Sequence, residues 1–86
     1  MLTPAEALQG IRGYALAGRI EVTPHAGRRM RERGVLFDDL RHALGFATAC
    51  EPEIQDRWRV DGTDVAGHAL SVVVTLEDGA VVVTVF

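Results

Sequence analysis

The sequence predicts an α+β domain, with N-terminal helices packed on a small antiparallel β-sheet. Three observations carry this. Two Thr-Pro helix starts stand at Thr3 and Thr23, the apolar residues of the first half recur at helical spacing, and a valine-rich hairpin closes the chain.

"TPAE" at Thr3–Glu6 reads as a capping box, with Thr3 as N-cap, Pro4 in the first turn and Glu6 reaching back. Leu8, Ile11, Ala15 and Leu16 then recur at helical spacing, and Gly18 ends the first helix. A short extended piece, Arg19 to Val22, leads to the second start, Thr23 and Pro24. That helix runs to about Arg33, with Gly34 as a left-handed cap. A third helix, roughly Phe37 to Leu44, turns Leu40, Ala43 and Leu44 inward and carries Asp38 and Asp39 at its positive end. Cys50, Glu51 and Pro52 read as a linker. Gln55 to Val60 alternates as a strand, with Trp58 and Val60 on one face and Arg57 and Arg59 on the other. "DGTDVAG" is expected as a loop. His68 to Leu76 and Ala80 to Phe86 make a hairpin around "EDG".

The 86 residues suit one domain spanning the chain. With 48% hydrophobic and 24% charged residues, they read as a folded globule rather than a disordered chain. A net charge of -3 excludes a wholly basic nucleic-acid protein but permits a local basic patch. All nine basic residues are arginine, so no lysine is available as acid, base or Schiff-base amine. One cysteine, Cys50, excludes an internal disulfide and a cysteine-rich zinc site. The expected setting is a reduced cytoplasm, with no secretory leader and no membrane span.

Four of the nine arginines (Arg28, Arg29, Arg31, Arg33) fall within the second helix. Residues four apart share a helix face, so His25, Arg29 and Arg33 form one stripe beside the buried stripe of Ala26 and Met30. Arg28 is placed to pair with Glu32, leaving the stripe with no acidic partner in its own helix. One reading is a solvated face whose arginines pair with Asp38, Asp39 or carboxylates of the sheet. The other is an anion site, because the planar guanidinium fork matches phosphate oxygens. If the face of Arg57 and Arg59 meets this helix, five basic groups converge as a footprint for RNA.

The stretch "HAGRRMRERGV" resembles the signature His-Ala-x-x-Arg-Met-x-Glu-Arg-Gly of a family of small uncharacterised bacterial proteins, on His25, Ala26, Arg29, Met30, Glu32, Arg33 and Gly34. The resemblance continues through Arg59 and the valine hairpin to "VVVTVF". The order of elements also resembles the MqsR type of mRNA-cleaving toxin and, more loosely, RelE. That resemblance implies a microbial ribonuclease or RelE-like fold, a toxin-antitoxin system, and a cognate antitoxin that in the MqsR type is zinc-binding and DNA-binding. Those toxins rely on lysine, glutamine and tyrosine of the sheet. This chain has no lysine, and its one tyrosine, Tyr14, falls on the first helix, so their catalytic residues do not carry over.

Metal-independent RNA cleavage needs a base for the 2'-hydroxyl, an acid for the leaving 5'-oxygen, and cations for the phosphorane. His25, beside the arginine stripe, is the first candidate acid or base, with Arg29 and Arg59 as its catalytic partners. Arg33, Arg57, His68 and Thr84 are the candidates for holding RNA phosphates. His42 is expected on the surface of the third helix. The three histidines lack metal-ligand spacing, and no cofactor is expected. A non-catalytic RNA- or protein-binding module of the same fold is the alternative.

Overall fold

A computed structural model describes residues 2–86. Three helices, α1 (Pro4–Leu16), α2 (Pro24–Arg33) and α3 (Phe37–Gly45), cover one face of a five-stranded mixed sheet. Its strands are β1 (Ile20–Val22), β2 (Ala49–Glu53), β3 (Arg57–Thr63), β4 (Ala69–Glu77) and β5 (Gly79–Val85), in the order β1-β5-β4-β3-β2. The fold is therefore α+β, as expected. The expectation of a wholly antiparallel sheet is corrected at one edge: β1 pairs parallel to β5, with Glu21 opposite Val81. α2, α3 and the other three strands separate β1 from β5 in the chain, and only a long connection of that kind lets two strands lie parallel.

The helix ends follow from local chemistry. Thr3 Oγ1 accepts from Glu6 N (3.2 Å) and Glu6 Oε1 accepts from Thr3 N (2.9 Å), closing the capping box. These bonds hold the Glu6 carboxyl below its ordinary value, through the Thr3 backbone first and its hydroxyl second. Thr23 Oγ1 accepts from Ala26 N at 3.2 Å and starts α2. Gly34, at φ 68, ends it: Val35 N donates to Met30 O and Gly34 N to Arg31 O. Two arginines stitch α1 to α3. Arg41 donates to the carbonyls of Ala15 (3.1 Å) and Leu16 (2.9 Å), and Arg12 donates to Gly45 O (3.4 Å). Each cation thus meets the negative end of the other helix.

The core lies between the helices and one sheet face. Ile11, Leu40 and Leu44 pack with Val60, Val72, Val74, Val82 and Val85, and Ala26 and Met30 bring α2 into the same cluster. Trp58 joins them, as expected. In α1, Ile11 and Ala15 turn inward as expected, together with Ala7, while Leu8 is only partly buried and Leu16 is half exposed.

Several strand boundaries differ from the sequence reading, among them the start of the third strand, where Gln55 and Asp56 form a turn and β3 begins only at Arg57. Cys50–Pro52 is not a linker but the middle of β2, paired antiparallel with β3. Proline is tolerated there because β2 is an edge strand. The residues read as the start of a loop, Asp61 and Gly62, instead extend β3 to Thr63. A β-carbon built at Gly62 would lie 2.3 Å from Ala43 O, so the absent side chain lets α3 lie directly on β3. The β2–β3 turn places Gln55 (φ 60) and Asp56 (φ 57) in the left-handed region. Among the described residues no helix is long and apolar enough to cross a membrane.

Candidate nucleic-acid interface

No helix covers the sheet face turned away from the core, but the side chains around its centre leave Val73 only 5% exposed. Strand alternation puts Arg57, Arg59 and Asp61 of β3 there, with Ser71, Val73 and Thr75 of β4 and Val81 of β5. An irregularity in the β4–β5 pairing, between Val73 and Val74, brings Thr84 opposite Val73, while Val85 turns into the core opposite Val72. The register then aligns Arg59, Val73 and Thr84 in one row across three strands. α2 completes the row: Thr84 Oγ1 and His25 Nε2 lie 3.4 Å apart. His25 stands in the first turn of α2, which begins directly after β1, and β1 runs beside β5.

Three of the expected site residues, His25, Thr84 and Arg59, therefore share one surface, with about 10 Å between the β3 and β5 backbones. Arg59 is tethered: its Nε lies 3.4 Å from Asp61 Oδ1, which also accepts from Ser71 Oγ at 2.7 Å. Its guanidinium lies 5.5 Å from the centre of the exposed Phe86 ring. Arg29 follows His25 one turn along α2 and lies 3.6 Å from Glu32 Oε1. This corrects the expected pairing of Arg28 with Glu32, and with it the expectation that the His25–Arg29–Arg33 stripe lacks an acidic partner. Arg33 is exposed at the end of α2.

Arg57 and His68 lie apart from this row. Arg57 is at the β2–β3 end of its strand. His68 is in the β3–β4 loop rather than at the start of a strand, and roughly 20 Å of strand separates those two ends. His68 serves its loop. Its backbone N–H donates to Asp64 Oδ1 (2.8 Å) and its ring Nδ1 lies 3.4 Å from Asp64 Oδ2. That backbone bond, foremost, lowers the Asp64 carboxyl from its ordinary value. His42, expected at the surface, is half-buried, its Nδ1 2.8 Å from Thr63 O and its ring against Phe46.

The convergence of five basic groups is also corrected by carboxylates that the linker reading hid. Because β2 is a strand, Glu51 stands opposite Arg59 and Glu53 opposite Arg57 on the same face. Cys50 alternates inward, where its thiol donates to Pro4 O at 3.2 Å and burial raises its pKa. The alternation of Cys50, Glu51 and Glu53 was readable, but Pro52 masked it.

The arginines divide by partner. Arg12 and Arg41 bind helix-end carbonyls, Arg19 pairs with Asp78, Arg29 with Glu32 and Arg59 with Asp61. The side chains of Arg28, Arg31 and Arg33 of α2, and of Arg57, have no hydrogen-bond or ionic partner among the described residues. Asp39, one of the acids expected to neutralise the helix, is already used by Leu36 N (3.0 Å) and Val65 N (3.2 Å). Comparison of the chain with family models, with curated proteins and with solved structures gave no match.

Proposed function

We propose that this chain is a toxin-like, metal-independent endoribonuclease acting on mRNA at the row of His25, Thr84 and Arg59, with a cognate antitoxin as its protein partner. One observation carries the reading. The arginines of α2 that the fold does not use, Arg28, Arg31 and Arg33, stand on the same short helix as a histidine bonded to a sheet face that no helix covers. Unpaired guanidinium groups bind phosphate oxygens through their planar forks and supply most of a protein's affinity for a nucleic-acid backbone. The acidic remainder of the chain would restrict binding to this edge.

In this reading one phosphate lies over Val73. His25 takes the proton of the 2'-hydroxyl, whose oxygen attacks phosphorus. The bond to the 5'-oxygen breaks as that oxygen takes a proton from water, and the His25 imidazolium gives its proton to the hydroxide so formed, leaving a 2',3'-cyclic phosphate and a 5'-hydroxyl. Arg59 leaves Asp61 to neutralise the phosphorane, and Arg29 supports it from the helix. Arg33 holds a neighbouring phosphate. The test is incubation of the purified protein with mRNA, followed by mapping of ends. Cyclic-phosphate ends that disappear in His25→Ala, and fall by about one to two decades in Arg59→Ala and Arg29→Ala, support the reading. Full cleavage by all three folded variants sinks it.

A further inference from the structure

The two edges of the sheet differ in what they leave unpaired. β2, at one edge, is blunted by Pro52, which has no N–H to offer, and by the acids Glu51 and Glu53. β1, at the other, has β5 as its one neighbour. In a ladder only alternate residues of an edge strand turn their amide groups to the partner. Arg19 O accepts from Ala80 N at 3.0 Å and Thr23 N donates to Val82 O at 3.1 Å, so Arg19, Glu21 and Thr23 face β5. The N–H and C=O groups of Ile20 and Val22 therefore point away from the sheet. These four groups have no hydrogen-bond partner among the described residues.

Acids gather beside that edge. Glu21 lies opposite Val81 and so projects on the sheet face that no helix covers, while Ile20 and Val22 turn toward the core and stay partly exposed. A groove of about 400 Å³ opens beside them, with Arg19, Glu21, Glu77, Asp78 and Val81 in its lining. Arg19 is held by Asp78, through both its carboxylate and its backbone carbonyl. The Glu21 side chain has no partner among the described residues, and Glu77 has only the Thr75 hydroxyl, at 3.5 Å. The carboxylates of Glu21 and Glu77 thus stand without a cation, next to a row of unpaired backbone groups.

Donors and acceptors alternating along an edge are matched by one kind of occupant, another extended strand. A second copy of β1 fits poorly. Antiparallel pairing that uses all four groups sets Ile20 against Val22 both ways, and it places the two copies of Glu21 directly opposite each other. Centring the pair on Ile20 brings Val22 against Gly18, whose φ of 76 is not extended, and centring it on Val22 brings Ile20 against Pro24, which has no N–H. We infer that the free edge of β1 takes an extended segment of a partner protein as a sixth strand, with a lysine or arginine of that segment over Glu21 and Glu77 and apolar residues on either side of it covering Ile20 and Val22. Successive side chains of a strand point to opposite faces, so a sequence of apolar, cation, apolar meets both faces of the edge at once. The backbone bonds supply the attachment and the side chains the selection. The inference does not rest on the RNA reading, and its readouts use no RNA.

The experiment is a titration of the isotope-labelled chain, followed by NMR at each backbone amide, with the end-capped peptide Thr-Thr-Val-Arg-Val-Thr-Thr. Two further peptides carry Glu in place of Arg, or Pro in place of both Val. The Arg peptide should shift the amides of Ile20 and Val22 and, at saturation, slow their exchange with solvent by about tenfold. Its binding should weaken with salt. The Pro peptide lacks the N–H groups that would meet the edge and should not bind. Glu21→Arg reverses an exposed charge that the fold does not use. That variant should bind the Arg peptide about fivefold more weakly than the wild-type chain does, and the Glu peptide about fivefold more tightly. No change at Ile20 and Val22 with millimolar Arg peptide overturns the inference. So does equal binding of the Pro peptide, or a Glu21→Arg chain whose preference between the Arg and Glu peptides is unchanged. A wild-type chain that pairs with itself through Ile20 and Val22 before any peptide is added overturns the choice of occupant.

Discussion

His25 and Thr84 are 59 positions apart in the sequence, yet the Nε2 of one lies 3.4 Å from the Oγ1 of the other. The parallel pairing of β1 with β5 brings them together, because α2 starts where β1 ends. If Thr84 orients the imidazole for proton transfer, Thr84→Val should slow RNA cleavage by up to about tenfold, the worth of one neutral hydrogen bond. Valine suits the strand, so the unfolding midpoint should not fall, and Thr84→Ser should restore the rate. A rate unchanged in Thr84→Val would leave the hydroxyl without a positioning role.

Gly62→Ala should be strongly destabilising, since Gly62 has the tightest surroundings of the glycines. The new methyl would meet the backbone oxygen of Ala43 at 2.3 Å, and neither β3 nor α3 can yield as a flexible side chain would. The expected loss is about 3 kcal/mol, with a melting temperature more than about 10 °C lower. Gly13→Ala, where nothing lies within 4 Å, is the control and should not destabilise. Denaturant unfolding of the two variants checks the pair.

The arginines should separate by role. Arg41→Ala frees the carbonyls of Ala15 and Leu16 and should cost about 1–2 kcal/mol of stability. Arg28→Ala and Arg31→Ala remove no partner and should stay within about 0.5 kcal/mol. If those two hold RNA, each substitution should flatten the dependence of binding on salt by about 0.7 in log–log slope. Binding titrations at several salt concentrations read this directly. An unchanged slope would return α2 to a merely solvated face.

Asp64 should shape the acid limb of stability. Its carboxyl is lowered chiefly by the His68 backbone bond, so the folded state holds the proton less readily than the unfolded chain. The stabilisation is complete above the ordinary aspartate value and is lost as the pH falls through the lowered folded value, below about pH 4. Asp64→Asn should therefore reduce stability at neutral pH and make the acid limb shallower. A steeper limb in Asp64→Asn would reverse the assigned sign.

The sequence by itself determined the elements whose physics is local. The two Thr-Pro starts, the Gly34 cap and the inward face of α3 all follow from caps and spacing within a few residues, and the structure has them where they were read. The valine hairpin and the opposed faces of Trp58 and Arg59 follow from strand alternation. Only the tertiary structure decided which strands are neighbours. Pro52 breaks the pattern of a strand, but an edge leaves its missing donor facing solvent, so β2 forms and sets Glu51 and Glu53 against the arginines of β3. The β2–β3 turn carries no glycine to announce it, since Gln55 and Asp56 are held in the left-handed region by the strands on either side. His25 was legible as a candidate from its helix, but its partner was not. Thr84 faces it only because an irregular register between β4 and β5 turns that residue outward, and because β1 lies parallel to β5. Local pattern specifies which way a residue points along its own strand. Pairing across the sheet, which depends on contacts between residues far apart in the chain, specifies what it meets there.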